Sequence, residues 1–404
     1  MSFHADVLHD PAHAFMPYPK VPVCAAATGS LAGMSFGVKD LFHVAGYPTS
    51  GGNPVLLALL GVQRRTAPTV QRLLDAGARF AGKTVTDELA FSMNGQNAHF
   101  GSPVNGAAPD RIAGGSSSGS ASAVSHGLCD FALGTDTGGS VRAPASHCGL
   151  VGLRPTHGRV SLEDALELAP SLDTCGWFAR DVATFARVAD VLLGADPRPL
   201  PSRVRVLVPA DLWALAVPAA VDTLLPVRNR IEDLLGPAKI VSAALEGLDT
   251  MYWQFRYLQG HEAWQTDGGF VTRFAPALGP GVAQRFAWSS AVTQDQASGA
   301  RAFRERFRAH LTDLLGSDGV LLLPTMPDVA PFASEPETAL EDYRNRAIRL
   351  LCSAGLAGLP QLSLPLAHRA GAPLGLSLLG PAGSDRSLVT LAERIASTGT
   401  PTTW

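Results

Sequence analysis

Short apolar runs alternate with helical stripes along this chain. Val70, Leu73 and Leu74 recur at helical spacing, with Thr66 placed to cap the helix and Gly77 to stop it. The run Ala78–Ala81 follows and reads as a strand. A second helix, Ser118–His126, is built of small residues and closed by Gly127, and Cys129–Leu133 after it reads as a buried strand. Phe303, Phe307, Leu311 and Leu314 form a further stripe that Gly316 ends, before another short buried strand, Val320–Leu323. Ser384 is placed to cap a last helix carrying Leu388, Leu391, Ala392 and Ile395. Strands that are apolar throughout are covered on both faces, so this interleaving predicts an α/β fold with helices on both sides of a sheet. No repeat or linker-like stretch divides the chain, and residues 1–404 read as a single domain with an N-terminal arm over 1–30. Patterning is weak and broken by prolines in the stretch that follows residue 195, which reads as an elaboration on the sheet.

Composition narrows the function classes. Apolar residues are 46% and charged residues 17%, with a net charge of −3. That excludes a disordered chain, and the lack of basic excess argues against a nucleic-acid partner. The 41 glycines and 30 prolines indicate many tight turns, and twelve of the glycines fall within residues 101–160. The cysteines, Cys24, Cys129, Cys148, Cys175 and Cys352, are widely spaced without a CxxC pair, so neither disulfides nor a zinc site are expected. Apolar runs such as Val55–Leu60 fall far below the ~18 residues that cross a bilayer, and no membrane partner is expected. The N-terminus lacks a basic start and an apolar stretch, so a cytoplasmic protein is expected. His4, His9 and His13 do not share one helix face and Pro11 interrupts them, so no metal is assigned.

Three motifs carry possible chemistry. Gly77–Thr84 fits the phosphate-loop pattern GxxxxGK[ST], but a helix precedes it and its middle reads as a strand, the reverse of what phosphate binding requires. Gly115-Ser116-Ser117-Ser118-Gly119 fits a nucleophile elbow, with Ser117 as nucleophile and His368 late enough to serve it, yet Pro109–Ala113 is a poor preceding strand. The third reading joins two Ser/Gly-rich turns, Gly114–Ser120 and Gly134–Arg142, across one helix–strand unit. Gly138 and Gly139 let backbone N–H groups converge, and a helix starting near Ser140 would add its positive end, the geometry of an oxyanion hole beside a hydroxyl nucleophile. Spacing alone leaves a pair of structural turns as the alternative.

The stretch Gly114–Ser161, GGSSSGSASAVSHGLCDFALGTDTGGSVRAPASHCGLVGLRPTHGRVS, resembles the defining Ser/Gly-rich region of the amidase signature family. Gly37-Val38-Lys39-Asp40 resembles the segment that supplies this family's lysine, and Asp318–Thr325 and Leu356–Pro360 resemble its C-terminal strands. Gly82-Lys83-Thr84, with Glu88 following, matches its GKT…E stretch instead of a phosphate loop. The resemblance implies a mixed, twisted central sheet covered by helices on both faces. It implies Ser140 as nucleophile, Ser116 as a bridging serine on a cis peptide, and Lys39 as base, with no cofactor. The N–H groups of Thr137, Gly138, Gly139 and Ser140 would form the oxyanion hole, and Ser117, Asp136 and Arg142 would support the loops. A buried lysine loses its proton more easily, so no histidine is needed.

The segments Asp87–Gly101 and Ser171–Asp181 resemble the indole-3-acetamide hydrolase subgroup. That suggests a small neutral aryl- or arylalkyl-carboxamide as substrate, with Phe91, Trp177 and Trp253 as candidate pocket walls and about 195–300 as a variable substrate-side region. Two alternatives stay open: the catalytic subunit of a tRNA-dependent amidotransferase, and an amidase-fold binding protein without catalysis. Monomer and homodimer also stay open.

Overall fold

The computed structural model describes residues 10–398. Its strands are β1 (Ser35–Lys39), β2 (Arg79–Thr84), β3 (Phe131–Thr135), β4 (Val151–Arg154), β5 (Cys175–Ala179), β6 (Arg205–Pro209), β7 (Lys239–Val241), β8 (Gly319–Pro324), β9 (Gln361–Arg369) and β10 (Ala372–Leu379). They form one sheet in the order β2-β1-β3-β5-β4-β9-β10-β8-β6-β7. The sheet is mixed: β1 is parallel to β2 and β3, β6 is parallel to β7 and β8, and the middle pairs are antiparallel. Successive side chains on a strand point to opposite faces, and both faces are covered. In β8, Val320 and Leu322 enter the core that includes the helices Val182–Leu192 and Asp385–Ser397. Leu321 and Leu323 enter the core made with the helices Leu248–Phe274, Gln294–Leu315 and Glu337–Ala357. Among the described residues, no helix is long and apolar enough to cross a membrane.

The small-residue helix is Ser118–Ser125, and its composition follows from close packing. A Cβ at Gly119 would overlap Ala14 O and Val85 N, both backbone atoms. The expected arm is therefore partly docked: Ala12, Ala14 and Met16 are buried, and Met16 N donates to Lys83 O at 2.8 Å. His4 and His9 lie outside the described residues.

Several expected boundaries shift for identifiable reasons. β3 begins at Phe131, where the Asp130 carboxylate accepts from Ser35 N (2.7 Å) and Ser35 Oγ (2.9 Å), and it runs on to Thr135. Thr66 does not cap its helix, which starts at Pro68 with Ala67 before it; the Thr66 hydroxyl accepts from Ala45 N instead. Ser384 does not cap the last helix either, because its hydroxyl donates to Pro381 O. The Asp196 carboxylate takes over, accepting from Arg386 N (2.8 Å) and Ser387 N (2.7 Å). Leu315 rather than Leu314 completes the buried stripe of Gln294–Leu315.

Candidate active site

The parallel strands β2, β1 and β3 lie side by side, so their carboxyl ends share one edge of the sheet. In α/β sheets this is the edge where functional groups gather. Lys39 is the last residue of β1, Thr135 is the last of β3, and Asp87 follows β2 closely. The Lys39 Nζ lies 2.8 Å from Ser116 Oγ and 2.8 Å from Thr135 Oγ1, and all three residues are buried. The Gly115–Ser116 peptide is cis. Ser117 N donates to Ser140 O at 3.3 Å, which ties the two serine turns together.

Burial pushes the Lys39 ammonium down to about 7, against the pull of the Asp87, Asp173 and Asp136 charges. Asp173 and Asp136 are otherwise occupied. Burial raises Asp87, although Gly95 N–H at 3.0 Å and the charge of Lys39 act the other way. Asp173 accepts from Thr137 Oγ1 (2.5 Å), Leu168 N (2.8 Å) and Ala169 N (3.0 Å). Burial would also raise Asp136, but the charge and hydrogen bonds of Arg142, then Arg154, outweigh it and hold the group well below the usual carboxylate range. Gly115 must lack a side chain, because a Cβ there would collide with the Asp87 carboxylate.

Asp136 organises the second turn. It accepts from Arg142 Nε (2.9 Å) and Nη2 (2.7 Å), from Gly139 N (2.9 Å) and from Val141 N (3.1 Å). Arg142 Nη1 reaches on to Leu351 O and Gln361 Oε1. The helix after the turn is Arg142–His147, which starts near Ser140 as expected. One expectation changes: the Gly139 N–H donates to Asp136 Oδ1 at 2.9 Å and is not free for an oxyanion.

The structure rejects the other two motif readings. Gly77–Thr84 spans a helix end and β2, and Lys83 is buried in an ion pair with Asp40 at 2.6 Å. Ser117 is fully buried, and its hydroxyl both donates to Thr135 O and accepts from Thr135 N at 3.2 Å, so it fastens the turn to β3.

Ser140 opens on a narrow cavity with a volume of ≈ 10 Å³, room for about one water molecule. Its lining includes Phe91, Met93, Phe255, Gln259, Arg344 and Ile348. Of the three expected pocket walls, only Phe91 is there. Trp177 is a correction: it is fully buried on the other face of the sheet, stacked on Phe185 with ring centroids 4.8 Å apart. Trp253 is also a correction: it is 43% exposed and packs on Tyr252 and Tyr257. Sequence reasoning missed Thr135, Asp87, Gln259 and Arg344 as site residues. Thr135 directly follows the Gly134 that starts the second turn, which was the available signal.

The amidase family model matches residues 18–215 and 272–389. Phe255 and Gln259 fall between the two matched segments. Amidase 1 of Arabidopsis thaliana is 37% identical, over 94% of this chain and 97% of its own length. A glutamyl-tRNA(Gln) amidotransferase subunit from Methanothermobacter thermautotrophicus is 33% identical, over 92% of this chain and 86% of its own. A solved structure described as a crystal structure of amidase is 34% identical with a TM-score of 0.83, covering 92% of this chain and 85% of that one. With matches of this extent over a mixed α/β sheet of the same form, the chain belongs to the amidase signature family of amide hydrolases.

Proposed function

We propose that the chain hydrolyses a small carboxamide to a carboxylate and ammonia through an acyl-enzyme on Ser140. The observation that carries this is Lys39, buried, shifted toward neutrality and 2.8 Å from Ser116 Oγ. With the amine neutral, that contact runs from the Ser116 hydroxyl to the Nζ lone pair. Ser116 passes its proton to Lys39 and takes the one from Ser140, whose oxygen attacks the carbonyl carbon. The N–H groups of Thr137, Gly138 and Ser140 are the donors for the resulting oxyanion, with Gly139 reserved for Asp136. Collapse breaks the C–N bond, and the relay returns a proton to the departing nitrogen. Water then adds to the ester, giving its proton back along the same path, and the carboxylate leaves.

The Ser140→Ala variant is expected to lose ammonia release by about 10³-fold or more while its melting temperature stays within a few degrees. Wild-type turnover in that variant would overturn the mechanism. An aryl or arylalkyl amide such as indole-3-acetamide is one substrate reading, favoured by Phe91 and Phe255 beside Ser140. The second reading places the chain in a tRNA-dependent amidotransferase, favoured by the 33% identity to the Methanothermobacter protein. Ammonia release by the isolated chain without tRNA or ATP separates the two. The retained Lys39, Ser116 and Ser140 argue against a binding role without catalysis.

A further inference from the structure

We propose that the acyl part of the substrate carries a carboxylate, held by Arg344 and Gln259 in the cavity of Ser140. This rests on the acyl-enzyme reading and specifies the substrate of that site.

Arg344 is 3% and Gln259 5% exposed, and both line the Ser140 cavity. Neither is satisfied: Arg344 Nε and Gln259 Oε1 are buried without a hydrogen-bond partner. Most buried polar atoms are paired, and each orphan costs about 1–3 kcal/mol. Gln259 sits beside the oxyanion turn, with Nε2 3.7 Å from the position a Cβ would take at Gly138. Turning its amide over presents an N–H where the unpaired oxygen now is.

A neighbouring guanidinium is also incompletely paired. Arg256 and Arg285 are buried beside Arg344, and Arg256 Nε is also unpartnered. Glu341 is the carboxylate these guanidiniums share, at 3.0 Å from Arg344 Nη1 and 3.4 Å from Arg285 Nη1. Glu337 and Asp87 act on Arg285 from farther off. Burial, then the like charge of Arg285, pushes Arg344 down to about 9. A planar carboxylate matches the guanidinium fork and offers an acceptor to the unpaired Nε of Arg344. A neutral aryl group would instead seal the unpaired donors away from water. The neighbouring cleft of ≈ 380 Å³ shares Ser92 with this cavity, and Arg285 lines it together with Glu88, Glu335, Glu337 and Glu341. With ≈ 10 Å³ open at Ser140, substrate entry displaces lining side chains.

The test compares kcat/KM for succinamate and glutaramate with butyramide and phenylacetamide. The acidic amides should be preferred by roughly tenfold or more, the worth of one charged hydrogen bond. The succinamate-to-butyramide ratio should fall by about the same factor in R344Q and recover in part in R344K. Preference for the neutral amides, or a ratio unchanged in R344Q, would overturn the proposal. A measurement on the wild-type protein avoids any folding defect: succinate should raise the melting temperature where butyrate at equal concentration does not. Equal shifts would also overturn it. Loss of turnover on every amide alongside a succinate shift would count against the acyl-enzyme reading and not against the anion site.

Discussion

In the proposed mechanism Lys39 serves as base because burial outweighs the pull of the carboxylates around it. Burial lowers its proton affinity to about 7, so the neutral amine is accessible in ordinary buffer. With Lys39 as base, activity is expected above that value and is expected to be lost as pH falls through it. We predict that kcat/KM falls about tenfold per pH unit below about 7, with one proton taken up. A flat profile from about pH 5 to 8 would contradict this base assignment. Lys39 and Ser116 each sit in a local motif, and the structure brings their side chains within 2.8 Å. Thr135 completes the contact from 96 residues away; its place at the start of the second turn marks the loop but not the contact with Lys39. The aromatic residues show the opposite failure. Residue type suggested pocket walls, but the alternation along β5 turns Trp177 to the face away from the cavity.

At the scale of elements, the turn after β3 is held by Asp136 against two buried arginines. Removing its charge leaves Arg142 and Arg154 without their counter-ion. We predict that D136N loses about 3–5 kcal/mol of stability, read by urea or thermal unfolding. Because the Asp136 carboxyl is held below its ordinary 3.8, its contribution is complete above that pH and fades only in stronger acid. An unfolding midpoint unchanged at neutral pH would show that the pair is dispensable. Helix cores were legible from apolar spacing, as in Phe303, Phe307 and Leu311. Caps were not, because capping depends on tertiary neighbours: Asp196, far along the chain, caps the helix that Ser384 precedes.

Across the whole molecule, the continuous apolar strands announced a sheet covered on both faces, and that is the architecture observed. The region after residue 195 stayed obscure for a physical reason. Its long helix Leu248–Phe274 buries Arg256, Gln259 and Glu262 along with Met251, Phe255 and Leu258, so its apolar stripe is interrupted. The interrupting residues Arg256 and Gln259 are the ones that reach the cluster beside the cavity. The early glycine surplus also has a location: Gly115 and Gly119 let the first serine turn and its helix press against Asp87, Ala14 and Val85. In the proposed mechanism this assembly activates one serine, Ser140. Peptide mapping of the full chain after reaction with a fluorophosphonate probe checks this. A single adduct is expected on Ser140; an adduct on Ser117 instead would overturn the mechanism.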